Sequence, residues 1–405
     1  MELWLENCIL LDMIRDEPQR NATVVIDRGY IKEIGCAADF GTRANDDANL
    51  RIDLSGQYLL PGIADCHVHL TQALAPLAGG AEGLGLRSDA SLAYFCAHSA
   101  RSALLNGITM LRVVGEARFI DVELRNAINQ GLLDGPRLVA GGHILIRTAG
   151  HGSRAINVME FDGPDQAIKA VRMQVRGGAD FIKLMVTGGV ASMTDPVDVP
   201  QFLDEELEAA CRAACGCGKG IAVHAGGPRA IEKCADLGVT SVEHGYIMDE
   251  QAVDALARNG TYLVPTLVVT HDAEYVNSRP KWIRDKVSAV GERHGKSFEM
   301  ALRAGVKIVA GTDTPDFKEY IYRELELLYG MGMKGMDVLR ACTRTAAEMC
   351  GLGTEAGAVT PGRRANLIAV GKDPLIPANL RDLRLVIKDG RVYRAGSPSP
   401  VAAAT

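Results

Sequence analysis

The sequence predicts an α/β protein: a (β/α)8 TIM barrel carrying a small β-sandwich domain built from both chain ends. Three observations lead there. Eight short apolar runs alternate with helix-like stretches through the middle of the chain, the pattern of a parallel sheet with helical crossovers. Short β-like segments punctuated by Gly and Asn/Asp occupy both ends. The length of 405 residues suits one barrel, which takes about 250, plus a smaller unit.

At the N-terminal end, Leu3–Leu10 is apolar, and Thr23–Ile26 leads to a turn at Asp27-Arg28-Gly29. Tyr30–Ile34 follows, then a polar, acidic connection through Asp46 and Asp47, then Arg51–Leu54. The C-terminal end has the same texture. Asn366–Val370 reads as a strand, Gly371-Lys372-Asp373-Pro374 as a turn and Leu385–Lys388 as a strand. Asp389-Gly390 is then a hairpin signal into Arg391-Val392-Tyr393. The two ends are expected to pair into one domain, residues 1–57 and 357–405, around a barrel at 58–356. The tail after Gly396 is rich in Ser, Pro and Ala and is expected to fray.

The eight barrel runs are Tyr58–Asp65, Thr109–Val114, Arg137–Ala140, Phe181–Val186, Ile221–Val223, Ser241–Val242, Thr261–Val264 and Lys307–Ala310. Helix candidates between them include Ser91–Asn106, Ile120–Gly131, Gln166–Gly177, Asp204–Gly216, Arg229–Leu237, Asp249–Asn259 and Tyr320–Gly330. The segments Gly141–Asp165 and Thr266–His294 exceed what a βα loop needs. On the C-terminal face of a barrel such loops shape a substrate pocket.

Composition removes several function classes. Apolar residues are 47% and charged residues 23%, ordinary for a globular chain. With Lys+Arg 44 against Asp+Glu 50, the net charge of −6 offers no basic excess for nucleic acid. No run of about 18 apolar residues suggests a membrane span. The start MELWLENCIL lacks a basic n-region and reads as mature protein. Ten cysteines without framework spacing suggest reduced, mostly buried thiols and a cytoplasmic location.

The sharpest motif follows the first barrel run: Ala64-Asp65-Cys66-His67-Val68-His69-Leu70. Side chains alternate on an extended chain, so His67 and His69 share one side and Cys66 faces the other, into core. Alone, His-x-His is weak. Other strand ends strengthen it: Val223-His224-Ala225, Val242-Glu243-His244-Gly245 and Gly311-Thr312-Asp313-Thr314. Four histidines and an aspartate at matching ends of four strands are a metal-ligand set. Strand 4 adds Lys183, inside Phe181-Ile182-Lys183-Leu184-Met185. A lysine there is costly unless paired or neutral. One reading pairs it with an acid at the mouth. The other lets the neutral amine, favoured by burial, react with CO₂ to give a carbamate able to bridge two cations.

His67-x-His69, Lys183, His224, His244 and Asp313 together resemble the amidohydrolase superfamily, over nearly the whole chain. Tyr58-Leu59-Leu60-Pro61-Gly62-Ile63-Ala64-Asp65 looks like that family's entry into strand 1. Thr360-Pro361-Gly362-Arg363-Arg364-Ala365-Asn366-Leu367-Ile368 looks like the return into its composite β domain, with Asn366 where an aspartate is common. The resemblance implies that His67, His69 and Asp313 hold one divalent metal, zinc by ligand type, and that His224 and His244 hold a second. Carboxylated Lys183 (N6-carboxylysine) would bridge them, and Asp313 would move the proton for a metal-activated hydroxide. Lys183 and Asp313 are thus the catalytic candidates.

The lysine points to the dipeptidase- and prolidase-like branch near the imidazolonepropionases, whose own members are expected to bind one metal without it. The implied reaction is cleavage of the amide bond of dipeptides or N-acyl amino acids, Xaa-Pro or similar. Ring opening of a cyclic amide is the alternative. A non-catalytic metal-binding barrel is a third reading, weakened because all six expected positions are filled. His143 and His151, in glycine-rich loop sequence, are the candidate substrate contacts. His98, His271 and His294 read as solvated or capped, and Cys215-Gly216-Cys217 as helix-end packing. The expected partner is a small-molecule substrate, with no nucleic acid and no membrane. An exposed apolar β domain would suit a homo-oligomer.

Overall fold

In the computed structural model, which describes residues 2–40, 49–74 and 81–395, the two chain ends build one eight-stranded sheet. The connection through Asp46 and Asp47 and the tail after Gly396 lie outside the described residues. The sheet runs in the order Arg391–Ala395, Leu383–Lys388, Leu367–Val370, Tyr58–Pro61, Leu3–Leu10, Gln19–Asp27 and Tyr30–Gly35, and Leu50–Asp53 also pairs with Leu3–Leu10. The ends meet where Leu367–Val370 lies antiparallel to Tyr58–Pro61. Inward apolar side chains of both ends, among them Leu5, Val24, Ile26, Leu59, Leu367 and Ile387, form one core. The anticipated turn at Asp27-Arg28-Gly29 and the hairpin at Asp389-Gly390 each close with two positive φ angles, at Arg28 and Gly29 (49° and 86°) and at Asp389 and Gly390 (48° and 75°). That is the turn whose twist matches the strands it joins. Asn366 has a structural task here, its Oδ1 accepting the Asp389 N–H at 2.8 Å.

The remainder is the barrel. Its first seven strands are Ile63–Val68, Ile108–Val113, Arg137–Ala140, Phe181–Met185, Gly220–Ala225, Ser241–His244 and Tyr262–Val264. Neighbours pair in parallel from the first to the third and from the fourth to the seventh. Most are buried along their whole length, so the charged residues inside them, Asp65, Arg112, Lys183 and Glu243, must be paired or neutral. The eighth position, Lys307–Ala310, is extended and bridges to the seventh strand at Leu263 and Ile308. It returns to the first strand through Cys66 N–H donating to Ala310 O at 3.0 Å, and Asp180 N–H donating to Ala140 O at 2.7 Å joins the third strand to the start of the fourth, so the ring closes.

Three readings of the sequence change. The run Tyr58–Asp65 is not one strand. It divides at Gly62, so Tyr58–Pro61 joins the terminal sheet and Ile63–Val68 the barrel. A side chain at residue 62 would begin 2.2 Å from Thr109 Cγ2, so only glycine allows the changeover. The segment Gly141–Asp165 contains two strands, Ile144–Arg147 and Val158–Phe161, the former pairing with both the latter and the fourth barrel strand. The segment Thr266–His294 is largely helical: Val268–His271, Ala273–Asn277 and the 23-residue helix Lys281–Arg303. That long helix was masked by a mostly polar sequence. It buries Val287, Val290, His294, Ser297, Phe298 and Ala301, a stripe at helical spacing. Among the described residues, no helix is long and apolar enough to cross a membrane.

Candidate metal centre

The candidate ligands gather because strand ends gather at one rim of a barrel. His67 and His69, two apart on an extended chain, point the same way. Buried Asp65 ties this end to the eighth strand by accepting the N–H of His67 (3.1 Å), the N–H of Thr312 (3.1 Å) and the Thr312 hydroxyl (2.8 Å). The Asp313 N–H in turn donates to His67 O at 2.8 Å. Asp313 and His244 both have left-handed backbone, with φ of 52° and 67°. Such conformations are costly for non-glycine residues and concentrate at functional sites.

His67, His69 and Asp313 each offer a ligand atom, and these atoms lie within 4.8 Å of one another. The Nε2 atoms stand 3.9 Å (His67) and 3.6 Å (His69) from Asp313 Oδ1. The opposite nitrogens are engaged: His67 Nδ1 with Glu243 Oε2 and His69 Nδ1 with Gly115 O, both at 2.7 Å. A proton held on Nδ1 leaves the Nε2 lone pair facing Asp313. The histidine rings continue as a chain. His67 to His244 is 5.0 Å between centroids, His244 to His224 is 4.5 Å, and His224 to His151 is 5.0 Å. His244 Nδ1 meets Thr266 Oγ1 at 2.7 Å, and His224 Nε2 meets Gly188 O at 2.9 Å.

Lys183 is 1% exposed, and its Nζ has no hydrogen-bond partner among the described residues. Burial pulls its pKa down to about 8, although the Glu243 carboxylate opposes the shift. An ammonium has three donors to satisfy, so an orphaned one is expensive where a neutral amine is tolerable. Burial also holds His69 down to about 4 and keeps His224 and His244 well below the usual imidazole range. Neutral imidazole is the form that binds metal. Four imidazoles, a carboxylate and a buried amine are a donor set that fits a pair of divalent cations.

The two candidate substrate contacts part company. His151 is buried beside His224, with Nδ1 3.9 Å from Asp195 Oδ2, and joins the histidine chain. His143 instead accepts the Arg118 N–H on Nε2 at 3.2 Å and packs edge-on to Phe119 at 4.7 Å. Cys66 is buried among apolar side chains, as the sequence suggested, whereas Cys215 and Cys217 sit at a helix end but are exposed rather than packed.

Four further residues escaped the sequence reading. Glu243, fully buried, holds His67 and is itself held by Arg112 Nη1 at 3.0 Å and the Ser241 hydroxyl at 2.5 Å. Arg112 lies over the Phe181 ring at 4.6 Å. Charged residues inside apolar strand runs were the available signal, the same one that singled out Lys183. Tyr246 stacks on His244 at 5.0 Å and 4°. No spacing rule marks it. His294 is the fourth, and the reading of it as solvated or capped is overturned. It is 1% exposed, with Nε2 3.0 Å from His244 O and Nδ1 2.6 Å from Thr270 Oγ1.

Burial lowers His294 from 6.5 to about 3. Between those values the unfolded chain binds a proton that the native chain does not. This contribution to stability is therefore complete above pH 6.5 and is lost as the pH falls through 3. In chelator-treated protein, His294→Gln is expected to flatten the decline of the urea midpoint with acidification relative to the parent. An identical decline in both would place the acid sensitivity elsewhere.

The amidohydrolase family model matches residues 58–395. An ochratoxinase of Aspergillus niger is 29% identical over 392 residues, covering 89% of this chain and 79% of its own length. A crystal structure of a Xaa-Pro dipeptidase with methionine bound in the active site superposes with a TM-score of 0.87 at 31% identity, covering 98% of this chain and 100% of the other. A prolidase complexed with N-methylphosphonate-L-proline superposes at 0.84 with 27% identity and the same coverage.

Proposed function

The chain belongs to the amidohydrolase family, and from that premise we propose that it is a binuclear, zinc-dependent hydrolase cleaving the amide bond of dipeptides or N-acyl amino acids, Xaa-Pro or similar. The observation that carries the binuclear reading is Lys183, a buried amine with no hydrogen-bond partner among the described residues whose charge is felt at His69, His224, His244 and Asp313. In this reading His67, His69 and Asp313 would hold one cation, His224 and His244 would hold the other, and Lys183, as N6-carboxylysine, would supply oxygen donors between them. When bound, such a pair supplies Lewis-acid polarisation of the amide carbonyl and lowers the pKa of water.

The chain's own residues do the rest. Asp313 is the ligand candidate that reaches solvent, at 23% side-chain exposure. It accepts the proton of the attacking water as the C–O bond forms and returns it to the nitrogen as the C–N bond breaks. Glu243 fixes the tautomer of His67. His151, whose Nδ1 lacks a hydrogen-bond partner among the described residues, is the substrate contact. His143, whose Nδ1 likewise lacks a hydrogen-bond partner among the described residues while its Nε2 accepts the Arg118 N–H, is the second candidate contact. The dipeptidase and prolidase among the similar structures, and the ochratoxinase relative, favour a substrate with an amide bond to an amino acid. Ten free thiols suit a reducing compartment, and we place the enzyme in the cytoplasm.

The test is a screen of protein produced with zinc and bicarbonate against Xaa-Pro dipeptides, N-acyl amino acids and cyclic amides. Turnover of the first two classes is expected, with about two metals per chain by elemental analysis. Turnover confined to lactams or imidazolones would hand the function to cyclic-amide hydrolysis. Full activity at one metal per chain would end the binuclear reading.

A further inference from the structure

We propose that Lys286 is a positioning residue whose ammonium group pins the strap after the fourth barrel strand, residues 187–201, against His151 and His224, and so fixes one wall of the site. The functional weight of that wall rests on the reading of His151 as the substrate contact.

The strap touches both rings. Gly188 O lies 2.9 Å from His224 Nε2, and Gln201 Oε1 accepts the His151 N–H at 2.9 Å. Gly189 passes so close that a Cβ there would stand 2.5 Å from His151 Nε2 and 2.9 Å from His224 Cε1. Asp195 Oδ2 is 3.9 Å from His151 Nδ1. Moving the strap would therefore move the surroundings of both rings.

Its middle has no helix or strand to hold it. Three of its carbonyls instead converge on Lys286 Nζ: Gly189 O at 2.9 Å, Ser192 O at 2.5 Å and Asp195 O at 2.6 Å. All three ammonium protons are used, in charge-assisted hydrogen bonds. Lys286 belongs to the helix Lys281–Arg303 after the seventh strand, so its side chain ties the strap to that helix. The next residue, Val287, and Val290 pack with Val190 and Val197 of the strap and with Tyr246 and Val268 in a small apolar cluster distinct from the barrel core. The cluster tethers the strap at Val190 and Val197, and the ammonium gathers the backbone beside and between them.

Lys286→Ala removes three methylenes and the ammonium, leaving the three carbonyls facing a space of n-propylammonium shape. Amide hydrogen exchange on the metal-loaded protein reads the strap without any substrate. Lys286→Ala is expected to speed exchange across 187–201 by about 10-fold or more while the barrel strands and the metal content stay unchanged. n-Propylammonium should restore protection, and tetramethylammonium at equal ionic strength should not. Lys286→Arg should keep most of the protection. Lys286→Met, which keeps the aliphatic stem, should lose protection without amine rescue, and it serves as the probe if the alanine variant folds poorly. With a substrate found in the screen, KM should rise by about 5-fold or more with a smaller change in kcat.

Unchanged exchange over 187–201, or loss of protection shared equally by the barrel strands, would overturn the proposal, as would indifference to n-propylammonium. A failed substrate reading looks different: no amide turnover, with the exchange pattern as expected.

Discussion

Replacing Lys183 by alanine is expected to remove metal and turnover together, the latter by about 10³-fold, and added acetate or propionate is expected to return part of each. The amine is buried and its Nζ is without a hydrogen-bond partner among the described residues. Glu243, the acid nearest in its electrostatics, is already bonded to Arg112, Ser241 and His67. A simple ion pair therefore leaves Nζ unexplained. Reaction of the neutral amine with CO₂ forms an N–C bond, releases a proton and produces an anion with two oxygens. That anion survives burial only beside cations, so modification and metal binding must rise and fall together. A short carboxylic acid fits the space the lysine vacates and offers the same two oxygens. Metal content and turnover, each with and without added acid, decide the matter. A Lys183→Ala protein that keeps its metal and parental turnover would remove the carbamate.

Asp313→Asn is expected to separate what Lys183→Ala loses together. Asparagine keeps the shape and one coordinating oxygen but cannot accept the proton. Turnover should fall by about 10²-fold or more, the scale of lost general acid–base catalysis, while most of the metal remains. The fold should not suffer. The bond that secures this turn is the Asp313 backbone N–H to His67 O, and asparagine tolerates the left-handed φ of 52°. Near-parental turnover in a metal-loaded Asp313→Asn protein would show that the proton travels by another group.

Local pattern was enough for much of the architecture. Strands buried on both faces are mostly apolar, so runs such as Thr109–Val114 and Phe181–Val186 could be read directly from the sequence. A polar residue ending such a run is out of place unless it has a task, which is why His224, His244 and Asp313 stood out before any distance was known. Other features had no local signature. Gly62 divides an apolar stretch between two sheets because of Thr109, a residue far along the chain. The helix Lys281–Arg303 hides its buried stripe among charges because only one face of it is buried.

By itself, then, the sequence determined which chemistry the protein can hold: two imidazoles of one strand, two more at the ends of the fifth and sixth, an acid at the eighth and an amine in the fourth. Periodicity and burial are properties of a few adjacent residues, and they place such groups at strand ends without reference to anything distant. Tertiary structure decided how those groups are used. Glu243 sets the tautomer of His67 from 176 positions away, His294 holds the His244 carbonyl from 50 away, and Lys286 gathers three carbonyls from 91 to 97 away. Hydrogen bonds act over about 3 Å, a distance that only chain closure can create between such residues, so no pattern read along the chain contains them.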